Sequence, residues 1–225
     1  MKIFISGYGK MGHMVEQVLL QRDICCAGYS EDITAVDPAL AAECVCIDFT
    51  TPDAFRANYA FIASHFKAAV IGTTGWDDIR DQVIAEFDRH GTPMIYASNF
   101  SIGVNILFAT VDFLSRRLAA AGGYAPYIVE KHHCHKLDAP SGTAKTLAEI
   151  VESDMDTCVD VQSVRCGEIP GIHTVGFEGA DDRLTITHEA FSRMGFATGA
   201  VAAALKTGSI TGVHQFKDII FNDLR

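Results

Sequence analysis

Three imidazoles, two ammonium groups and a thiol fall within six consecutive residues, Lys131-His132-His133-Cys134-His135-Lys136. Glu130 precedes them, and Leu137-Asp138-Ala139-Pro140-Ser141-Gly142-Thr143 follows. Such a density of donors and cations suits a small anion that must take a proton, because histidine supplies a general acid near neutral pH. Ser141 is a natural helix N-cap, and the N–H groups at a helix start hold carboxylates. Gly142 removes a Cβ from that approach, and Thr143 adds a hydroxyl. Along one extended strand His132 and Lys136 would stand roughly 13 Å apart, at about 3.3 Å per residue. One small ligand could hardly touch both. Either the chain bends near His135 or the two residues address different parts of the ligand. Asp138-Ala139-Pro140 is a plausible bend, since a residue before proline avoids the helical region.

Three other readings compete for the same residues. His132, His133, Cys134 and His135 are all metal-ligand types, but adjacent ligands rarely close a tetrahedral site alone, and Lys131 and Lys136 oppose a cation. No metal is therefore expected. The run could also be a solvated polar loop. Cys134 as a nucleophile lacks a recognisable base and orienting group.

A second chemical stretch lies at the N-terminus. A β-rich run, Lys2 to Ser6, leads into Gly7-Tyr8-Gly9-Lys10-Met11-Gly12, after which Val15, Val18 and Leu19 recur at helical spacing. Strand, G-x-G-x-x-G and helix are the context of a dinucleotide fingerprint. Gly7 allows a tight turn, Gly9 lets a pyrophosphate approach the backbone, and Gly12 lets helix pack on strand. The helix N-terminus offers N–H groups and a positive dipole end. Ser30-Glu31-Asp32 follows the second strand, about where a ribose-binding carboxylate belongs. No Lys or Arg follows nearby to receive a 2′-phosphate, which favours NADH, although Lys10 could reach one and leaves NADPH open. The competing explanations are a plain βα turn and an exposed loop acid.

The elements that must position these groups repeat as βα units. Strands are expected at Ile24–Tyr29, Cys44–Phe49, Ala68–Gly72 and Met94–Ala97, with helices from Pro52 to about Ser64 and from Asp77 to His90. This alternation predicts a Rossmann-like α/β parallel sheet, whose ligands sit at the carboxyl ends of the strands. Phe49-Thr50, Gly72-Thr73-Thr74 and Ala97-Ser98-Asn99-Phe100 occupy such ends. After Gly103 the pattern changes. A long helix, Val104–Ala121, stops at Gly122-Gly123, and then come a strand Tyr127–His133, a helix Ala144–Ser153, and strands at Asp160–Val164, His173–Gly179 and Arg183–Ala190. This predicts a second α+β domain with a mixed sheet. Residues 1–103 with 192–225 should form the dinucleotide-binding domain, and 104–191 a substrate-binding and oligomerisation domain. Met194–Leu205 reads as helix, and Gly212–Phe221 is too short to stand alone.

The net charge of −10 argues against a general nucleic-acid binder, although a local cationic pocket can still draw an anionic substrate. Hydrophobic residues are 48% and charged residues 20%, ordinary for a soluble globular chain. Seven cysteines without framework spacing fit free thiols in a reducing cytoplasm. The N-terminal apolar run is too short for a signal peptide, and Ile102–Leu114 is broken by Asn105 and Asp112, so no membrane span is expected.

The central stretch matches E-x-H-H-x-x-K-x-D-A-P-S-G-T-A at every fixed position and resembles the signature of the 4-hydroxy-tetrahydrodipicolinate reductases. The resemblance extends through the glycine loop, Gly72-Thr73-Thr74-Gly75, Ser98-Asn99-Phe100-Ser101-Ile102-Gly103-Val104-Asn105, and Ser192-Arg193-Met194 with Phe196-Ala197. It implies reduction of a small cyclic dicarboxylate to tetrahydrodipicolinate with NADH or NADPH, on the diaminopimelate route to lysine. It further implies a cytoplasmic homotetramer. His132 matches the family's catalytic histidine and Lys136 its proton-donating lysine. His133 matches a substrate contact, and Gly142 and Thr143 the carboxylate-binding pair, with Ser141 beside them. The implied cofactor contacts are Gly7, Tyr8, Gly9, Lys10, Met11, Gly12, Ser30, Glu31, Phe49, Thr50, Gly72, Thr73, Thr74, Ala97, Ser98, Asn99, Phe100, Arg193 and Phe196. Departures exist. The chain is shorter than many members, Ser30-Glu31 stands where many carry Glu-Arg, and Ser98 stands where small apolar residues are common. The rivals are another small dehydrogenase with a Rossmann domain, and a nucleotide-sensing module without turnover.

Overall fold

A computed structural model describes residues 1–221. By internal contacts the chain divides into two compact units, Met1–Ser101 with Met194–Arg225, and Ile102–Arg193.

The first unit begins β1 (Lys2–Ser6), α1 (Lys10–Gln21), β2 (Cys25–Ser30), then a 3-10 turn at Ile33–Ala35 and α2 (Pro38–Ala41). It continues with β3 (Cys44–Asp48), α3 (Pro52–His65), β4 (Ala68–Ile71), α4 (Arg80–His90) and β5 (Met94–Tyr96). The second unit holds α5 (Ile102–Ala121), β6 (Ala125–His132), α6 (Gly142–Met155), β7 (Asp160–Arg165), β8 (Ile172–Glu178) and β9 (Arg183–Glu189). The chain then returns to the first unit with α7 (Met194–Lys206), β10 (Val213–Gln215) and α8 (Phe216–Ile220).

The first sheet runs β10-β5-β4-β3-β1-β2, and every pairing is parallel. Its central strands are apolar on both faces. Ile3, Ile5, Val45 and Ile47 pack on one side with α1 and α7, while Phe4, Cys44 and Cys46 pack on the other with Phe55, Ile62 and Phe87. Burial on both faces is what a parallel sheet covered by helices demands. Helix α7 is short-chained because it lies against backbone: a Cβ on Gly199 would sit 1.7 Å from the Phe100 carbonyl oxygen. Thus the two α/β domain types expected from the sequence are both found. The short β10 adds a sixth strand that the sequence pattern left unread, and α2 was likewise unread.

The second unit is a sheet in the order β7-β6-β8-β9, parallel between β7 and β6 and antiparallel elsewhere. Helices α5 and α6 cover it through Leu107, Val111, Leu147 and Val151 against Ile128, Val175 and Phe177. Strand β6 ends at His132, one residue earlier than expected, because the chain turns at Cys134 and His135. Helix α6 starts two residues earlier than expected, immediately after its cap. The helix expected from Asp77 begins instead as a 3-10 turn at Asp77–Ile79.

Candidate active site

The glycine loop of the first unit closes on itself. Gly7 has φ +82°, and its N–H donates to the Ser30 carbonyl at 2.9 Å. A Cβ on Gly12 would stand 2.3 Å from the Gly7 oxygen, so these two glycines are demanded by the turn itself. Gly9 differs: it has ordinary φ as the α1 N-cap, and a Cβ there meets nothing within 4 Å. The Tyr8 N–H donates to Glu31 Oε1 at 2.8 Å, which brings the predicted ribose carboxylate onto the loop. The Tyr8 ring stacks on Tyr29 with centroids 3.5 Å apart. Lys10 opens α1 as an exposed cation, with Met11 half-buried behind it.

The predicted strand-end residues are joined by one group the sequence reading missed. Asp48, fully buried at the end of β3, accepts hydrogen bonds from the hydroxyls of Ser6 at 2.6 Å, Thr50 at 3.0 Å, and Thr73. The Thr50 N–H donates to Thr73 Oγ1 at 2.7 Å. Burial raises the Asp48 pKa, and the three hydroxyls oppose that rise. A Cβ on Gly72 would enter the Phe49 ring, at 2.1 Å from it. Thr73, Thr74, Ala97 and Ser98 line one cleft together with Tyr96 and Gln215. Asn99 and Phe100 follow; the Asn99 side chain accepts from the Ser101 N–H at 2.8 Å, and Phe100 is buried against Phe216. Arg193 is exposed just before α7, and Phe196 is half-buried within that helix. Both stand on a different element from the glycine loop.

In the second unit the histidine stretch is organised by Glu130. Its carboxylate is wholly buried in β6. One oxygen pairs with His132 Nδ1, and the other accepts from Arg165 Nη2 at 2.6 Å and from the Ser141 N–H at 3.3 Å. Register explains the meeting. His132 lies opposite Arg165 on β7, and Glu130 lies opposite His173 on β8. Burial pushes the Glu130 carboxyl up, but Arg165, Ser163 and the charge of His132 outweigh it and hold the pKa down at about 2. Burial lowers the His132 pKa against the pull of Glu130, with Lys136 and Arg165 adding to the lowering.

His173 is buried beside this pair. Its ring meets that of His132 edge-on with centroids 5.1 Å apart, and its Nε2 lies 3.1 Å from Ser141 Oγ. Ser141 is the α6 N-cap, as expected, accepting from the Ala144 N–H at 3.2 Å. The chain does bend where a bend was required: the Lys136 N–H donates to the His133 carbonyl at 3.2 Å. The Lys136 ammonium lies 2.7 Å from Asp138 Oδ1, and the Ala139–Pro140 bond is cis. His133 is half-buried on the turn, with its ring 6.0 Å from that of His135. Gly142, like Gly9, has open space where a Cβ would be.

Glu130, Arg165 and His173 were absent from the expected site. Glu130 carried a signal, since it is an acid at an inward position of an otherwise half-apolar strand. Arg165 and His173 carried none, because strand register alone brings them in.

One pH effect follows from His173. Burial first, then the charge of His132, depresses its pKa to about 4, while Glu130 opposes and His188 and Lys136 reinforce the shift. The unfolded chain protonates this imidazole near about 6.5, so the unfolded state binds more protons between those values. The stabilisation is complete above the unfolded value and is lost as pH falls toward 4. Its size is on the order of 3 kcal/mol. Urea midpoints should therefore fall from pH 7.5 to pH 5, and His173→Gln should flatten the decline. An unchanged decline in that variant would assign the proton uptake elsewhere. Glu130 has the same sign but is lost only below the ordinary carboxylate range.

A parallel sheet with a glycine loop at its strand ends, joined in one chain to a mixed-sheet unit with a buried carboxylate–histidine pair, defines a two-unit α/β protein of the dinucleotide-binding type. Residues 1–100 match the dihydrodipicolinate reductase N-terminal model, and residues 103–220 match its C-terminal model. The chain belongs to the dihydrodipicolinate reductase family. It is 36% identical to the 4-hydroxy-tetrahydrodipicolinate reductase of Christiangramia forsetii over 98% of both chains. It is 40% identical to that of Chromohalobacter salexigens over 82% of this chain and 76% of that one. Among solved structures, a dipicolinate-bound dihydrodipicolinate reductase from Paenisporosarcina sp. TG-14 shares the fold with a TM-score of 0.81. That match has 20% identity and covers 97% of this chain and 98% of that one.

Proposed function

We infer that this chain is a 4-hydroxy-tetrahydrodipicolinate reductase, an NAD(P)H-dependent oxidoreductase acting on a small cyclic dicarboxylate in the diaminopimelate route to lysine. The observation that carries the chemistry is the buried Glu130–His132 pair set against Ser141, at the point where α6 opens. Gly9 and Gly142 add support. Neither has a positive φ or a neighbour that excludes a Cβ, so no packing demand within the fold accounts for glycine there. Close approach of a ligand does: a pyrophosphate at Gly9 and a carboxylate at Gly142.

When bound, the reduced nicotinamide supplies a hydride. The residues proposed to hold the dinucleotide are Gly7 through Gly12, Ser30 and Glu31, the Asp48-anchored Phe49, Thr50, Gly72, Thr73 and Thr74, and Ala97 through Phe100. Arg193, the last residue of unit 2, and Phe196 of α7 join this assignment by resemblance. The proposed substrate residues are His133, Ser141, Gly142 and Thr143, with the N–H groups at the α6 start receiving a carboxylate. Glu130 fixes the ring of His132 through Nδ1, and burial lowers the pKa of that imidazole, so His132 is assigned to orienting and polarising. Lys136 is then the better proton donor to the carbon that becomes electron-rich. Unit 1 is assigned to the cofactor and unit 2 to the substrate and to self-association as a homotetramer. No helix among the described residues is long and apolar enough to cross a membrane, and all seven cysteines are free thiols, in keeping with a cytoplasmic enzyme.

The test is a coupled assay. Enzymatically generated 4-hydroxy-tetrahydrodipicolinate is supplied with NADH or NADPH, and loss of the reduced-nicotinamide absorbance is followed. Oxidation dependent on the substrate is the expected result. Bound cofactor without any oxidation would return the weight to a sensing module.

Glu31 makes NADH the preferred cofactor, because a carboxylate on the glycine loop accepts from ribose hydroxyls and repels a 2′-phosphate. A hydrogen bond to a charged group contributes about 1.5–3 kcal/mol, so Glu31→Ala should weaken NADH by roughly tenfold or more. NADPH affinity should hold or rise. Fluorescence titration reads both, and equal losses for the two cofactors would remove Glu31 from the ribose site.

A further inference from the structure

We propose that Cys134, His135 and Glu168 form a surface site for a divalent transition-metal ion of the zinc class, separate from the buried histidine pocket. The three residues stand on two turns, one after β6 and one after β7. Cys134 Sγ lies 3.5 Å from His135 Nε2, which lies 3.4 Å from Glu168 Oε1, and all three donor atoms fall within 4.8 Å of one another. A tetrahedral zinc ion with its usual bond lengths sets sulfur and nitrogen ligands about 3.5 Å apart, and nitrogen and oxygen ligands about 3.3 Å apart. Two edges of the tetrahedron are therefore already at coordination spacing, before any ion draws the ligands in.

The backbone holds the two turns together independently of these side chains. The Cys134 N–H donates to the Gly167 carbonyl at 3.1 Å, and the Cys166 N–H to the His132 carbonyl at 3.0 Å. The adjacent pair Cys134-His135 cannot close a tetrahedron by itself; Glu168 supplies the third ligand from across the turn. The objection from lysine charge also weakens, because Asp138 lies 2.7 Å from the Lys136 ammonium. A mixed sulfur, nitrogen and oxygen set suits zinc better than calcium or magnesium, with a water completing the shell. The buried trio Glu130, His132 and His173 is a poorer candidate, since the Arg165 guanidinium already occupies Glu130 at 2.6 Å. An ion on the surface trio would tie the turn preceding Lys136 to the loop after β7.

The test uses the full, reduced, chelator-stripped protein, with binding read directly and not through turnover. Zn2+ is titrated by calorimetry, and Co2+ is added as a spectroscopic probe. The expected results are one ion per chain and a thiolate-to-cobalt charge-transfer band. Cys134→Ser and Glu168→Gln should each weaken Zn2+ by at least the roughly tenfold cost of losing even an outer-shell partner. Cys166→Ser, which alters the neighbouring thiol, should leave the affinity unchanged. Absence of binding, absence of the band, or equal affinity in Cys134→Ser would each overturn the site.

Discussion

Lys136→Ala is expected to lower kcat by about a hundredfold to ten-thousandfold, the usual range for losing a positioned general acid. The argument starts from the turn. Strand β6 ends at His132, and the chain folds back so that the Lys136 N–H reaches the His133 carbonyl, which brings the ammonium into the electrostatic surroundings of His132 and His173. Burial lowers the pKa of both imidazoles, that of His173 to about 4. The ammonium is therefore the group we propose as the proton donor. Lys136 lies in unit 2, and the proposed dinucleotide loop lies in unit 1. As a proton donor that is not assigned to the dinucleotide, Lys136 should leave NADH affinity within about threefold of wild type, a change of under about 1 kcal/mol. His132→Gln should also cut kcat while sparing NADH binding. Steady-state kinetics with a parallel NADH titration decides the matter. Loss of NADH affinity with turnover otherwise normal would move Lys136 out of the chemistry and into cofactor binding.

The second large effect is on stability. Glu130→Ala removes the single carboxylate shared by Arg165, His132 and the Ser141 N–H. The guanidinium side chain is only 18% exposed, so it is left largely buried without its counter-charge. Breaking such a pair from one side typically costs about 3–5 kcal/mol. Activity should fall too, because Nδ1 of His132 loses the partner that orients the ring. Glu130→Gln separates the two effects. It keeps the shape and one acceptor oxygen, so it should recover much of the folding loss while leaving kcat low. Urea denaturation monitored beside kcat reads both. Full activity in Glu130→Gln would show that the charge on Glu130 does not serve His132.

Much of this protein was legible in its sequence. The glycine loop could be placed because strand, turn and helix are adjacent in the chain, and because Gly7 and Gly12 answer to local steric demands. The Ser141 cap and the bend before it were readable for the same reason: N-caps and prolines act over three or four residues. The parallel sheet followed from the repeated alternation of short strands with helices. Local chemistry leaves local marks.

Register leaves none. His132 meets Arg165 because β6 and β7 pair in parallel, and Glu130 meets His173 because β6 and β8 pair in antiparallel register. A shift of one residue in either pairing would turn those side chains to the opposite face. Asp48 likewise looked like one more strand end, yet it gathers the hydroxyls of Ser6, Thr50 and Thr73 from three separate segments. The sequence alone therefore pointed to the groups proposed for the chemistry and to the turns proposed to receive anions. Tertiary structure decided which buried charge holds them, since a carboxylate can be taken out of water only where its partners converge from elsewhere in the chain.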